Sequence, residues 1–118
     1  MARATLDVGG RDLDIARAGG GVAFCGFEEL CAGARGAADY LALARGFHTL
    51  VLDGVPVLTE NNRNEARRFV TLIDALYEHR CMLVMAADDA PDRLHPKGDH
   101  AYEFPRTASR LHEMQSED

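Results

Sequence analysis

Arg106 and Arg110 stand four residues apart in the segment RTASRLHEMQSED. In a helix that spacing puts both guanidinium groups on one face near the N-terminus, where free backbone N–H groups and the helix dipole also favour an anion. Paired guanidinium forks suit phosphate oxygens. The competing use is a solvated face on which Arg110 pairs with Glu113 or Glu117, an arrangement that contributes little to stability. A second group, Arg63, Arg67 and Arg68, crowds the first turns of the segment RNEARRFVTLIDALYEHR. Cations are disfavoured at that end of a helix by a few tenths of a kcal/mol each. The placement suggests an arginine finger, Arg67 or Arg68, aimed at a phosphate on a neighbouring subunit; the alternative is ion pairing with Glu60, Glu65 or an acidic loop. Asp74 follows the apolar run Val70 to Ile73. If that run were a buried strand, Asp74 would match the magnesium-holding acid of a P-loop enzyme.

The rest of the chemistry needed for phosphate transfer is missing from these residues. Of thirteen basic residues only Lys97 is a lysine, and it lies in LHPKGDH, without the glycines and following hydroxyl of the phosphate-cradling G-x-x-x-x-G-K-[ST] loop. The histidines 48, 79, 95, 100 and 112 show no metal-ligand spacing. Cys25, Cys31 and Cys81 are scattered, contain no C-x-x-C pair, and read as reduced, buried thiols. Asp39 reads as a helix cap, and no Ser/His/Asp or Cys/His set can be nominated. A formal charge of -6 argues against a nucleic-acid groove. No apolar run approaches the roughly 20 residues of a membrane span, and the N-terminal stretch lacks a secretory core. A cytoplasmic protein is expected.

The elements that must position the arginines follow from hydrophobic periodicity. With 118 residues the chain suits one α/β domain over residues 1–118. Alternation on both sides of Gly9-Gly10 predicts a hairpin. After a break at Gly19-Gly20-Gly21 comes the strand VAFCGF, then a helical turn or two at FEELCAGA, and a short helix in GAADYLALARGF closed by Gly46. HTLVLDGVPVL predicts a buried strand over 48–53. Asn62 is the expected N-cap of the next helix, over 63–79, with Glu65 as its capping-box partner. Phe69, Leu72, Ile73, Leu76 and Tyr77 form one helical face, which turns Asp74 about 100° from Ile73 and takes it off any strand end. CMLVMAA predicts a strand over 81–87 parallel to the first, completing a β-α-β unit. Residues 88–105 read as a long surface connection, and the chain ends in a helix striped by Ala108, Leu111 and Met114.

Taken together, FEELC, GAADYLALARGFHTLVLDGVPVLT, RNEARRFVTLIDALYEHR and EFPRTASRLHEMQS resemble the C-terminal portion of the ZapE/AFG-one-like P-loop ATPases, in order and at compatible spacing. The resemblance runs from about Gly10 to Ser116. It implies the back part of an AAA+-like ATPase linked to cell division or protein quality control, whose Walker A and Walker B half would precede Met1. ATP and magnesium are the implied cofactors of the family, with none expected for this chain alone. The implied partners are that ATPase half or other family subunits, and division-ring proteins. The retained Arg106, Thr107, Ser109, Arg110 and Leu111 imply a phosphate-sensing arginine helix. Met82-Leu83-Val84-Met85-Ala86-Ala87-Asp88 departs from the family's Lys-Leu-Val/Ile-x-Ser-Ala-Glu, and Leu94-His95 from its Leu-Tyr. The reading from a different class is a stand-alone, non-catalytic interaction module.

Overall fold

Two Gly-Gly pairs shape the first third of the molecule. The computed structural model describes residues 2–33, 35–87 and 104–115; the predicted connection at 88–105 lies almost wholly outside them. Strand β1 (Ala2–Val8) turns into β2 (Arg11–Gly19) through Gly9 and Gly10, and β2 turns into β3 (Val22–Gly26) through Gly20 and Gly21. All four glycines have φ between 61° and 88°, the left-handed values that a two-residue turn needs to match strand twist. The expected break at Gly19–Gly21 is therefore a second hairpin, and the three strands form a continuous antiparallel meander.

From β3 onward the sheet is parallel. The chain passes through α1 (Phe27–Cys31) and α2 (Ala37–Gly46) to β4 (Thr49–Val55), then through α3 (Arg63–Glu78) to β5 (Met82–Ala87). The order is β1-β2-β3-β4-β5, with β3, β4 and β5 parallel and directly paired. This mixed α/β sheet contains the predicted β-α-β unit. Strand β4 runs two residues beyond the predicted end at Asp53. The register with β5 slips between Leu52 and Val55, a bulge that Gly54 absorbs at φ 73° and that turns Val55 back into the core.

Helix α3 buries Phe69, Val70, Leu72, Ile73 and Leu76 against Leu50 and Leu52 of β4, Leu83 of β5 and the neighbouring helices, in one continuous core. Its ends differ from expectation. Asn62 precedes α3 but makes no side-chain cap to it, because its Oδ1 accepts from the N–H and hydroxyl of Thr59 in the 3-10 turn Glu60–Asn62. At the other end Arg80 takes φ 57°, with Arg80 N–H bonded to Tyr77 O and Cys81 N–H to Leu76 O. That is a Schellman stop without the usual glycine. Gly46 ends α2 for a packing reason: a Cβ there would stand 3.0 Å from Leu6 Cδ2, so the residue lets the hairpin approach the helix.

Asp39 is buried near the start of α2, where Oδ2 accepts from Gly36 N–H and Oδ1 lies 2.9 Å from Arg11 Nη2. The three thiols are buried. Burial is the first cause of their upward displacement, to about 12 for Cys25 and Cys31 and about 11 for Cys81, and it raises Tyr40 as well. These groups are neutral in the fold, whereas the unfolded chain ionises its thiols near 9.0. The stability they contribute is complete below that pH and lost as pH rises through the folded values. Thermal melts should hold a constant Tm up to about pH 9 and then fall steeply towards pH 11–12; a flat Tm through that window would contradict the burial.

Candidate functional site

The final helix, α4 (Phe104–Gln115), lies against α3 and β5. Among its described side chains Thr107, Ala108 and Leu111 are buried, at the spacing of one helical face. That choice of face turns Arg106 outward and leaves Arg110 half-buried at the seam. Both arginines converge on Asp74 of α3. Arg110 Nη1 is 2.5 Å from Asp74 Oδ1, and Arg106 Nη2 is 3.5 Å from Asp74 Oδ2.

Asp74 is thus neither a strand-end acid nor a bystander. It is the cross-helix counter-ion of the two arginines that the sequence singled out, a pairing invisible to local spacing because thirty-two and thirty-six residues separate the partners. Tyr77, one turn further along α3, completes the seam. The Arg110 guanidinium lies 4.5 Å over its ring, and its hydroxyl donates to Glu113 Oε1 at 2.9 Å. That bond to a carboxylate is the main cause raising the Tyr77 pKa. A carboxylate partner and an aromatic face both hold cations, so Arg110 is fixed on two sides.

The two arginines differ in freedom. The Arg110 side chain is 19% exposed and that of Arg106 is 62% exposed. Arg106 meets Asp74 only at the limit of hydrogen bonding, and an exposed pair of that kind contributes about 0–1 kcal/mol. Two guanidinium groups share the Asp74 carboxylate and Glu113 stands on the Tyr77 side of the seam, so Arg106 is the more exposed cation of the cluster. Chemically this suits an approaching phosphate oxygen.

The candidate finger residues separate. Arg68 Nη1 donates to Cys31 O at 3.1 Å, binding the C-terminal end of α1 to α3. Arg67 is exposed, and its carbonyl accepts from the Thr71 hydroxyl. It precedes Asp74 by seven residues, which is two turns or about 10 Å along the same helix face. Arg67 therefore shares the outer surface of α3 with the Asp74 cluster, while Arg68 turns beneath it.

Among the described residues no group of three or more His, Cys, Asp or Glu is placed to hold a metal ion, and no helix is long and apolar enough to cross a membrane. Lys97, His95 and His100 lie outside the described residues. A hollow of about 620 Å³ borders the seam beside Tyr77, Arg80 and Glu113, and neither Arg106 nor Arg110 lines it. The side chains at the seam fit contact with a phosphate group; they do not supply the carboxylates or the glycine-rich cradle of a whole nucleotide-magnesium site.

The pattern of one protein family, described as AFG1-like ATPase, matches residues 1–118. The chain is 45% identical over 92 residues to the cell division protein ZapE of Escherichia coli K12, covering 78% of this chain and 24% of that protein. It is 41% identical over 109 residues to lactation elevated protein 1 homolog B of Danio rerio, covering 92% of this chain and 22% of that protein. The chain thus spans less than a quarter of the length of these curated relatives, and no solved structure matches it. With the family pattern matched from end to end and the arginine helix docked on its α/β layer, this chain belongs to the AFG1-like ATPase family.

Proposed function

We propose that residues 1–118 act as the C-terminal part of an ATP-hydrolysing family member, bringing arginines to the phosphate end of a nucleotide held by other residues of the protein. Arg106 is the reaching group, Arg110 and Asp74 hold it at the seam, and Arg67 is the candidate finger towards a neighbouring subunit. Arg68 acts through the α1 contact. The carrying observation is the asymmetry of the pair: one guanidinium locked between Asp74 and the Tyr77 ring, the other outward and weakly held. ATP and magnesium are the cofactors of this reading, and a cytoplasmic ATPase linked to cell division is its setting, in keeping with the name of the bacterial relative. The partners are the ATP-binding part of the protein, other family subunits and division-ring proteins.

The test uses this chain joined to the P-loop part of a family ATPase. Arg106→Ala should lower turnover by about 10³-fold, the scale of a phosphate-contacting arginine, with Tm unchanged. Arg106→Lys should restore only part of the rate, because an ammonium lacks the bidentate fork. Arg110→Ala should lower both turnover and stability, the latter by about 2 kcal/mol. An unchanged rate in Arg106→Ala would leave the seam with a purely structural role. The second reading, a stand-alone interaction module, is favoured by the exposed apolar side chains Met82 and Val84; it predicts no gain of turnover on joining.

A further inference from the structure

The sheet has two faces of different character. On the helix-covered face Ala23, Cys25, Leu50, Leu52 and Leu83 are buried. On the other, the meander and the parallel strands diverge. Arg3, Thr5 and Asp7 of β1 and Asp12 and Asp14 of β2 are exposed, and Thr5 donates to Asp14 there. That half is built for water. The alternate positions of the next three strands carry Val22 and Phe24, then Val51 between Thr49 and Asp53, and then Met82, Val84 and Ala86, with Met82 50% and Val84 55% exposed. Strand β5 thus puts three apolar side chains into solvent, the large Met82 and Val84 and the small Ala86.

Parallel sheets occur almost only with both faces covered. Here the apolar area is confined to the parallel strands and stops at the charged strands of the hairpin. Three strands at about 4.8 Å spacing make a strip roughly 10–15 Å wide, the breadth of one α-helix with its side chains. A groove of about 370 Å³ runs across the C-terminal ends of these strands, lined among others by Phe24, Val51 and Val84. Its rim carries Arg17, whose guanidinium lies 5.4 Å from the Phe24 ring centroid, together with Glu29 and Asp53. More than three quarters of each matched relative lies outside the matched stretch.

We infer that the apolar face of β3, β4 and β5 seats an amphipathic helix from the ATP-binding part of the longer family polypeptide. This rests on the reading that such a part works with this chain. The helix presents an apolar stripe to Phe24, Val51, Met82 and Val84, a carboxylate to Arg17, and a basic side chain to the Glu29 and Asp53 end of the groove. At Phe24, Val51 and Val84 its seat lies on the face of the sheet opposite the buried residues that meet α3, while Met82, at the start of β5, also borders the hollow beside Glu113 and Met114 of α4. The ATP-binding part would therefore reach round the sheet to be both held at this face and met by Arg106.

Cysteine labelling tests this directly, because Cys25, Cys31 and Cys81 are all buried. Val84→Cys and Met82→Cys, with Asp14→Cys on the charged half as reference, are treated with a maleimide in the 118-residue chain and in the chain joined to the P-loop part. In the chain alone all three introduced thiols should react at similar rates, and slow reaction of the native cysteines reports that it is folded. In the joined protein positions 82 and 84 should react at least about tenfold more slowly while position 14 is unchanged. Equal rates in the two proteins overturn the inference even when the joined protein hydrolyses ATP, which leaves the proposed function standing. Protection in the chain alone that grows with its concentration also overturns it, assigning the face to a second copy. Protection on joining without ATP turnover supports the seat and counts against the proposed function instead.

Discussion

Purified alone and given ATP with magnesium, the 118-residue chain is expected to release no phosphate above background, whereas the chain joined to an intact P-loop part turns over. Phosphoryl transfer depends on positioning and charge: a glycine-rich loop and lysine around the phosphates, carboxylate-held magnesium and a group that orients water. The sequence contains no G-x-x-x-x-G-K-[ST]. Asp74, the acid that follows the apolar run Val70 to Ile73, already accepts from Arg106 and Arg110. A contacting arginine multiplies a rate by up to about 10³–10⁵ but creates none by itself. Steady-state phosphate release from the two proteins side by side is the measurement. Turnover by the chain alone would reveal an active site built from residues not considered at the seam.

Phe69→Ala should lower stability by about 3–5 kcal/mol, a large share of the roughly 5–15 kcal/mol available to a small domain. Phe69 is fully buried on α3, its ring centroid 5.9 Å from that of Phe27 at a tilt of 53°. Phe27 opens α1, a five-residue helix too short to persist alone. The ring contact, the Arg68 bond to Cys31 O and the Tyr40 hydroxyl bond to Leu30 O hold α1 in place. Truncation therefore leaves a cavity and loosens a second element at once. Urea denaturation should show the drop in midpoint, and Arg68→Ala should show a smaller one of about 1–2 kcal/mol. A loss below about 1 kcal/mol for Phe69→Ala would mean that the core closes over the gap.

The sequence determined the parts whose cause is local. Gly9-Gly10 specified a hairpin because only left-handed φ values fit a two-residue turn. The Phe69, Leu72, Ile73, Leu76 period specified α3 and removed Asp74 from any strand end, and the continuous apolar runs specified two parallel strands, since the strands of a parallel sheet are apolar on both faces, although the outer face of β5 is exposed in these 118 residues. Family membership was legible in the phrases from FEELC to RTASRLHEMQS, and the absence of a lysine-bearing glycine loop was a matter of counting. Where local rules admit two answers the sequence was silent. Gly20-Gly21 served equally as a break or a turn until Gly19 paired with Val22. Asn62 was a sound cap by composition, yet its side chain is spent on Thr59. Only the tertiary structure decided the candidate site: packing of Thr107, Ala108 and Leu111 fixed the rotation of α4, and that rotation brought Arg106 and Arg110 to Asp74 and Tyr77 rather than leaving their partners to be guessed from neighbours in sequence. Ion pairs and ring contacts between helices carry no period in the chain, because they depend on how two elements are rotated against each other and not on either element alone.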